Sequence, residues 1–265
     1  MIKLVDATDK ERLFIVGDLH GRYDILHEFL QWSKAGDKDL LVSVGDLIDR
    51  GSKSLECLSH FLFADNCEAV KGNHDQLMVD SLVNNDRQAD MTWMMNGGDW
   101  ALSHNLNYLR GLATETDKLP VFLDITFGDV QVGVSHAEFP YTSRGHLLDA
   151  RTRNMLIATA CTVNVAILDM MVDEAKDIKL ALWGRRQVKE SGGRGILGYD
   201  YVVHGHTVTQ VLTDEPVPIQ KVNQHWIDTG SCFTGGRQTI MEIKKDGTFE
   251  YHQLWFDDYG ELCIV

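Results

Sequence analysis

Five short clusters of aspartate, histidine and asparagine recur along the chain, and each one follows an apolar segment. They are Gly17-Asp18-Leu19-His20-Gly21, Gly45-Asp46-Leu47-Ile48-Asp49-Arg50-Gly51, Gly72-Asn73-His74-Asp75, Ser135-His136-Ala137 and His204-Gly205-His206-Thr207. Carboxylate oxygen, imidazole nitrogen and amide oxygen are ligands suited to Mn²⁺, Fe or Zn²⁺. A single cluster of this kind is usually an ordinary turn or a surface histidine. Five in order, each after a predicted strand, indicate a metal-binding site.

The spacing within the clusters suggests how metal ions would be held. Residues two apart in an extended segment point to the same side, so we expect Asp18 and His20 to bind one ion together. Asp46 carries two carboxylate oxygens and is suited to bridge two ions roughly 3.5–4 Å apart, as in two-metal hydrolases. Glycines beside these residues allow the backbone to turn sharply after each strand.

The first third of the chain alternates between strand and helix signals. Apolar runs at residues 13–16, 40–44 and 68–71 predict strands, and helical spacing of apolar residues at 23–34, 55–63 and 75–83 predicts helices between and after them. This order is typical of parallel βαβ units. Functional sites of such sheets lie in the loops beyond the carboxyl ends of the strands, which is where the clusters occur.

The rest of the chain predicts a second set of strands. Residues 121–125 and 130–134 indicate paired strands, residues 201–203 and 226–227 two more, and Lys245-Asp246-Gly247 a hairpin turn. Between them, residues 144–182 show helical spacing without proline. We therefore expect one domain over residues 1–265, with two sheets and a helical insertion at about 144–182.

Composition limits the classes of partner and the cellular location that we expect for this protein. The net charge of −14, from 25 Lys and Arg against 39 Asp and Glu, argues against a nucleic-acid partner. No apolar run approaches the roughly 20 residues that cross a bilayer, and residues 1–10 lack the apolar core of a signal peptide. The five cysteines are scattered without a CxxC pair, so we expect a cytoplasmic location. The sequence does not indicate an oligomeric state.

The clusters also carry a family resemblance. GDLHGRYDIL, VSVGDLIDRG and VKGNHDQLM, with SHA at Ser135 and GHT at Gly205, resemble the metallophosphoesterase superfamily. More narrowly, residues from about Leu13 to Gly235 resemble the phosphoprotein phosphatase family in its bacteriophage lambda and bacterial branch. The resemblance implies an α/β fold, a β-sandwich of two mixed sheets flanked by helices. It also implies removal of phosphate from phosphoserine and phosphothreonine in proteins or peptides, often with phosphotyrosine tolerated.

The resemblance implies a binuclear centre with six protein ligands. One metal ion would be held by Asp18, His20 and Asp46, and the other by Asp46, Asn73, His136 and His206. The family centre is commonly manganese-dependent, and iron or zinc also suits these ligands. His204, whose family counterpart is usually apolar, is expected to have a structural role.

The resemblance assigns four further residues. His74 corresponds to the general acid, Asp49 to the carboxylate that orients it, and Arg50 to a phosphate-binding arginine. A second phosphate arginine is expected near Trp183-Gly184-Arg185. Arg185 is favoured, but this stretch differs in length from relatives, so two alternatives stay open, Arg186 and Arg194.

Three functions are compatible with these residues. The favoured one is a serine/threonine protein phosphatase in which a metal-bridging hydroxide attacks phosphorus and His74 protonates the leaving oxygen. The alternative is a diadenosine tetraphosphate hydrolase or small-molecule phosphoesterase of the same superfamily, although nucleotide-cleaving relatives tend to lack the aspartate at position 49. A non-catalytic phosphoprotein-binding scaffold is disfavoured because every metal and acid position is intact.

Overall fold

Two six-stranded sheets and their flanking helices make up the part of the chain that the structure, a computed structural model, describes: residues 2–148 and 165–265. In chain order the strands are β1 Ile2–Asp6, β2 Arg12–Val16, β3 Asp39–Ser43, β4 Cys67–Ala69, β5 Phe122–Phe127, β6 Val130–Ser135, β7 Tyr201–His204, β8 Ile219–Lys221, β9 Gln224–Trp226, β10 Gln238–Lys244, β11 Phe249–Phe256 and β12 Leu262–Ile264. The helices are α1 Tyr23–Ser33, α2 Ser54–Phe63, α3 Asn73–Leu82, α4 Arg87–Met95, α5 Leu106–Asp117, α6 Val165–Trp183 and α7 Gln210–Thr213. Short 3-10 helices cover Gly98–Ser103 and Gln187–Lys189.

Both sheets are mixed, as the family resemblance implies. One has the strand order β1-β5-β6-β7-β9-β8 and the other β12-β11-β10-β2-β3-β4. Strands β2, β3 and β4 are parallel neighbours joined through α1 and α2, which confirms the βαβ prediction. In the other sheet, β5 and β6 form an antiparallel hairpin, and β6, β7 and β9 run parallel.

Alternation along the central strands builds two cores on opposite faces of one sheet. In β2, Leu13 and Ile15 are buried between the sheets, while Phe14 and Val16 are buried under the helices. Because both faces are covered, the strand reads as an unbroken apolar run rather than as an alternating one. A third cluster, which includes Phe122 on β5, packs under the end of α6.

Several elements differ from the sequence prediction. β1, α4 and α5 were not predicted, and β1 pairs in parallel with β5. The third strand is Cys67–Ala69 rather than 68–71, because pairing with β3 ends at Ala69 and the chain then turns toward α3. Helix α6 covers the last part of the predicted helical segment and ends one residue beyond it, at Trp183. Residues 149–164 of that segment lie outside the described residues.

Candidate metal centre and phosphate-binding cleft

All five clusters lie at the carboxyl ends of parallel strands. Those after β2, β3 and β4 belong to one sheet, and those after β6 and β7 belong to the other. Hydrogen bonds join the two sets: the backbone N–H of His206 donates to the Asp18 carboxylate, with both oxygens 3.1 Å away. The ends of the two sheets therefore face each other, and the clusters form one site.

Backbone carbonyls orient two of the histidines. Nδ1 of His20 lies 2.9 Å from the carbonyl oxygen of Ile48, and Nδ1 of His136 lies 2.9 Å from that of Val44. Because a carbonyl only accepts, Nδ1 of each ring carries a proton, which leaves Nε2 to face the site. Burial lowers the pKa of His20 to about 3, which keeps this ring neutral. Such contacts fix the tautomer and direction of metal-binding histidines.

Nε2 of His136 points at two side-chain oxygens. Its Nε2 lies 2.9 Å from Oδ1 of Asn73 and 3.5 Å from Oδ1 of Asp46. Nδ1 of His206 lies 2.8 Å from the same Asn73 oxygen, and its Nε2 is buried without a hydrogen-bond partner. Ring nitrogens, an amide oxygen and a carboxylate that converge in one buried space are the ligand types of a first-row divalent cation. The donor set therefore fits a divalent cation.

Asp46 is common to two groups of side chains that could hold a metal ion. His20, Asp46 and His74 form one group, and Asp46, His136 and His206 form the other, with ligand atoms within 4.8 Å of one another in each. Burial alone would raise the pKa of Asp46, but the neighbouring histidines, His136 foremost, hold it well below its usual value. The carboxylate is therefore ionised at the centre of the site.

Asp18 borders the same site without belonging to either group. It is 3% exposed, and burial beside Asp228 and Asp46 raises its pKa well above the usual value. Asp228, which follows β9, has its pKa raised to about 6 by burial. Three carboxylates buried together repel one another unless positive charge lies among them, which again fits a bound cation.

Close backbone approaches bring the clusters together. A Cβ on Gly205 would lie 1.9 Å from Oδ1 of Asp18, and one on Gly72 would lie 2.2 Å from Oδ1 of Asp46. His20 and His206 adopt left-handed backbone with φ of 44° and 64°. The extended alternation that placed Asp18 beside His20 in the sequence therefore does not apply to the folded chain, in which the turn at His20 directs its ring.

His204 occupies the buried structural position expected for it. Nδ1 lies 3.1 Å from the Ser135 hydroxyl and Nε2 lies 3.0 Å from the Gln224 amide oxygen. The ring stacks on Trp226 at a centroid distance of 5.1 Å. Both ring nitrogens are engaged, so neither is directed at the metal centre.

His74 and Asp49 form a buried pair beside the centre. Nδ1 of His74 lies 2.6 Å from Oδ2 of Asp49, which is fully buried. Oδ1 of Asp49 accepts from the indole N–H groups of Trp93 and Trp100, at 2.9 and 2.8 Å. Burial works to lower the pKa of His74, but Asp46 and Asp49 outweigh it and raise the pKa above its usual value.

Arg50 lies across the mouth of the site. One guanidinium nitrogen is 2.6 Å from Nε2 of His20 and the other is 2.9 Å from Nε2 of His74. Its guanidinium also lies 5.3 Å from the centre of the Phe233 ring. A backbone φ of 68° and a hydrogen bond from its N–H to the Gly97 carbonyl hold it there. The side chain is therefore directed into the site rather than used to cap α2.

The three arginines considered for the second phosphate position differ in the cavities that they line. Arg185 lines the cleft above the metal centre, a cavity of about 260 Å³ that Arg50, His74 and His206 also line. Arg186 forms an ion pair with Glu190 at 3.4 Å. Arg186 and Arg194 line a neighbouring cavity that Arg185 also borders. The geometry thus favours Arg185 for contact with a phosphate in the cleft.

The sequence did not reveal the residues that brace these loops. Asp75 ends the third cluster, and its carboxylate accepts from the backbone N–H groups of Asp46, Leu47 and Gly72 at 2.9–3.2 Å. It thereby joins the loop after β3 to the loop after β4. Its place directly after Asn-His was the available signal. Trp93 and Trp100 share Oδ1 of Asp49 as acceptor, and nothing in the sequence indicated that contact.

The family model for calcineurin-like phosphoesterases matches residues 11–210. The chain belongs to this family. Among calcineurin-like phosphoesterases, serine/threonine-protein phosphatase 1 of Salmonella typhimurium is 29% identical over 244 residues, which are 91% of this chain and 95% of that protein. A symmetrical bis(5'-nucleosyl)-tetraphosphatase of Psychromonas ingrahamii is 36% identical over 91 residues, 32% of this chain and 33% of that protein.

Solved structures share the fold of this phosphoesterase. A serine/threonine phosphatase of Saccharomyces cerevisiae superposes with a TM-score of 0.56 at 16% identity, over 100% of this chain and 82% of that one. This confirms the predicted α/β sandwich. Within the described residues, no helix has the length and apolar character needed to cross a membrane. The four cysteines among the described residues, Cys57, Cys67, Cys232 and Cys263, are free thiols.

Proposed function

We propose that this phosphoesterase is a metal-dependent serine/threonine protein phosphatase that also tolerates phosphotyrosine. The observation that carries the proposal is the His74–Asp49 pair, which adjoins the Asp46 centre and faces Arg50 across 2.9 Å. A proton donor, an anion-binding guanidinium and a metal centre are what hydrolysis of a phosphate monoester with a poor leaving group requires. Similarity to a bacterial serine/threonine phosphatase over nearly the whole chain supports it.

Two divalent cations, manganese foremost and iron or zinc as alternatives, are the proposed cofactors. Asp18, His20 and Asp46 would hold one, and Asp46, Asn73, His136 and His206 the other. When bound, such ions act as Lewis acids that lower the pKa of water and offset phosphate charge. His74 lies in one of the two groups around Asp46, but its Nδ1 is committed to Asp49, so we assign it to proton transfer.

Arg50 and Arg185 would bind the phosphate of the substrate. A guanidinium meets two phosphate oxygens at once, which fixes the orientation of the group. In the structure, Arg50 donates to Nε2 of His20 and of His74. A phosphate entering the cleft offers the guanidinium stronger acceptors than neutral imidazoles, so Arg50 would turn toward it.

Departure of Arg50 from His74 would free Nε2 to carry a proton. Asp49 accepts from Nδ1–H and stabilises the positively charged ring. The serine or threonine alkoxide is a poor leaving group, and His74 would protonate it as the bond to phosphorus breaks. Asp49 would act through His74 as a positioning residue, held in place by Trp93 and Trp100.

A second candidate function is hydrolysis of diadenosine tetraphosphate. The symmetrical bis(5'-nucleosyl)-tetraphosphatase of Psychromonas ingrahamii is similar to this chain over about a third of its length. The intact Asp49, bonded to His74, favours the protein phosphatase because nucleotide-cleaving relatives tend to lack this carboxylate.

We also propose that residues 1–265 form a single domain. The family model ends at residue 210, but β10 beyond it pairs with β2, and β11 and β12 extend the same sheet. A cytoplasmic location and the absence of a nucleic-acid partner stay predictions.

Turnover with Mn²⁺ tests the proposed function. We expect the purified chain to release phosphate from phosphoserine and phosphothreonine peptides faster than it cleaves diadenosine tetraphosphate, with phosphotyrosine accepted. Metal-stripped protein is the control and should be inactive until Mn²⁺ is restored. Cleavage of the nucleotide alone would favour the second candidate, and release from none of these substrates would contradict both.

A further inference from the structure

A second cavity adjoins the cleft and is lined by basic side chains. Its volume is about 480 Å³, and four of its lining residues are cationic: Lys176, Arg185, Arg186 and Arg194. Arg185 lines both this cavity and the cleft, so the two are direct neighbours. The mechanism proposed above uses only Arg185 of the four. The other three have no assigned role.

The backbone that carries Arg185 and Arg186 is fixed by a buried carboxylate. Glu138, 1% exposed, follows the His136 cluster and accepts from the backbone N–H groups of Arg186 and of Gln187, the latter at 2.9 Å. Gly184 permits this approach, since a Cβ there would lie 2.4 Å from Cγ of Glu138. The two guanidinium groups therefore extend from an anchored turn at the end of α6.

The backbone of Arg194 is anchored through strand β9. Its carbonyl oxygen accepts from the side-chain amide of Gln224 on β9, which is 1% exposed and is itself bonded to His204. Nearby, Nζ of Lys221 donates to the carbonyls of Val188 and Glu190, both at 2.6 Å. The segment between α6 and β7 is thus tied at several points, which holds the basic residues around one space.

The charge of the cavity is opposite to that of the chain. The whole protein carries −14, yet this cavity presents four cations against two acidic lining residues, Glu138 and Asp177. The Glu138 carboxylate already accepts from backbone N–H groups. Arg186 meets Glu190 in an exposed pair at 3.4 Å, and such pairs contribute little. A local excess of positive charge on an acidic surface attracts anions.

We propose that this cavity is a second anion subsite that binds a further phosphate of the same substrate while the first lies at the metal centre. Lys176 and Arg194 would contact that group, and Arg185 would lie between the two phosphates. The chemistry is that of a phosphoryl group, which guanidinium and ammonium donors both recognise. Its source is either a second phosphorylated residue of a peptide or the next phosphate of a nucleoside polyphosphate. The inference rests on the proposed function, whose cleft supplies the first phosphate.

Peptides that differ only in a second phosphate test the subsite. One arm uses a singly phosphorylated peptide and a series with a second phosphoserine two to five residues away, where an extended chain advances roughly 3.3 Å per residue. A second arm measures the inhibition constant of diadenosine tetraphosphate. The protein with Mn²⁺ is compared with Lys176→Gln/Arg194→Gln and with Lys179→Gln. Lys179 is an exposed lysine of α6 that does not line the cavity, so it controls for the loss of charge.

The expected result is a rise in KM by about 10-fold for one spacing of the doubly phosphorylated series in the double variant. Turnover of the singly phosphorylated peptide, and all constants of Lys179→Gln, should stay unchanged. A spacing-dependent rise identifies a peptide source, and a weaker inhibition constant for the nucleotide identifies the other. The inference is overturned if neither changes, or if singly and doubly phosphorylated peptides lose equally. Failure of the proposed function looks different, because the unmodified protein would then not hydrolyse the singly phosphorylated peptide.

Discussion

Replacing Asp49 with asparagine removes one negative charge and keeps the shape of the side chain. Asp49 is fully buried and uses both oxygens: Oδ1 accepts from the indoles of Trp93 and Trp100, and Oδ2 accepts from Nδ1 of His74 at 2.6 Å. An asparagine offers one acceptor oxygen and one donor NH₂ group in their place. It can satisfy the tryptophans or His74, but not both as they are now.

The magnitudes decide which way the amide turns. If its NH₂ faced the indoles, two buried N–H donors would lose their acceptor, at a cost of about 1–3 kcal/mol each. The oxygen should therefore stay on the tryptophans, and the NH₂ should face Nδ1 of His74. An imidazolium cannot accept there, so the charged ring loses a hydrogen bond worth about 1.5–3 kcal/mol. General-acid help, worth about 10²–10⁴-fold, should largely disappear.

The assay compares leaving groups. For Asp49→Asn, we expect kcat on a phosphoserine peptide to fall about 10²-fold or more, and kcat on p-nitrophenyl phosphate to fall less than about 10-fold, because that leaving group needs little protonation. Trp100→Phe is the matched control, since it removes one indole donor and leaves the Asp49–His74 bond, so its loss should be small on both substrates. Equal losses of Asp49→Asn on the two substrates would refute the acid role of His74.

Three further substitutions test the centre and the cleft, and a fourth, in α5, is a control. Asp46→Asn should lower the affinity for metal ions more than about 100-fold, which exceeds the effect of losing an outer-shell partner. If the variant retained two ions after dialysis, Asp46 would not be the bridge between them. Gly205→Ala should lower the free energy of unfolding in urea by about 1–3 kcal/mol, because its Cβ would lie 1.9 Å from Oδ1 of Asp18. Gly111→Ala in α5 is its control: nothing lies within 4 Å of that Cβ, so the free energy of unfolding should rise by about 0.5–1 kcal/mol. Phe233→Ala removes a half-exposed ring that lies 5.3 Å from the Arg50 guanidinium. It should raise KM for phosphopeptides about 2- to 5-fold with little change in kcat. A loss confined to kcat would count against this contact.

The central strands and the five clusters were predictable because their signals are local. Four consecutive apolar residues that end in Gly17 predict a buried strand and its loop, and the structure has both. The same holds for the segment that ends in Gly45. Periodicity and turn residues act over a few positions, so the sequence displays them directly.

The contacts that tune the chemistry were not predictable, because they join distant parts of the chain. Trp93 and Trp100 reach Asp49 across 44 and 51 residues. Their indoles meet it only because α4 and the 3-10 helix after it pack beside the loop after β3. The choice among the arginines after α6 likewise depends on Glu138, which fixes that backbone from 48 residues away. Sequence spacing carries no record of either arrangement.

Several residues proposed to perform the chemistry also adopt a strained backbone conformation. Ten non-glycine residues in the described segments have positive φ, and five of them belong to the clusters: His20, Asp46, Asp49, Arg50 and His206. Each such conformation costs about 1–3 kcal/mol. A glycine would relieve that cost at any of them, but it would also remove a proposed metal ligand, the carboxylate bonded to His74 or the guanidinium proposed to bind phosphate. The fold therefore keeps these residues in left-handed turns at the expense of stability. The hydrogen bonds of the Asp75 carboxylate and the buried strands on both sides of the centre prevent the turns from relaxing to an unstrained backbone.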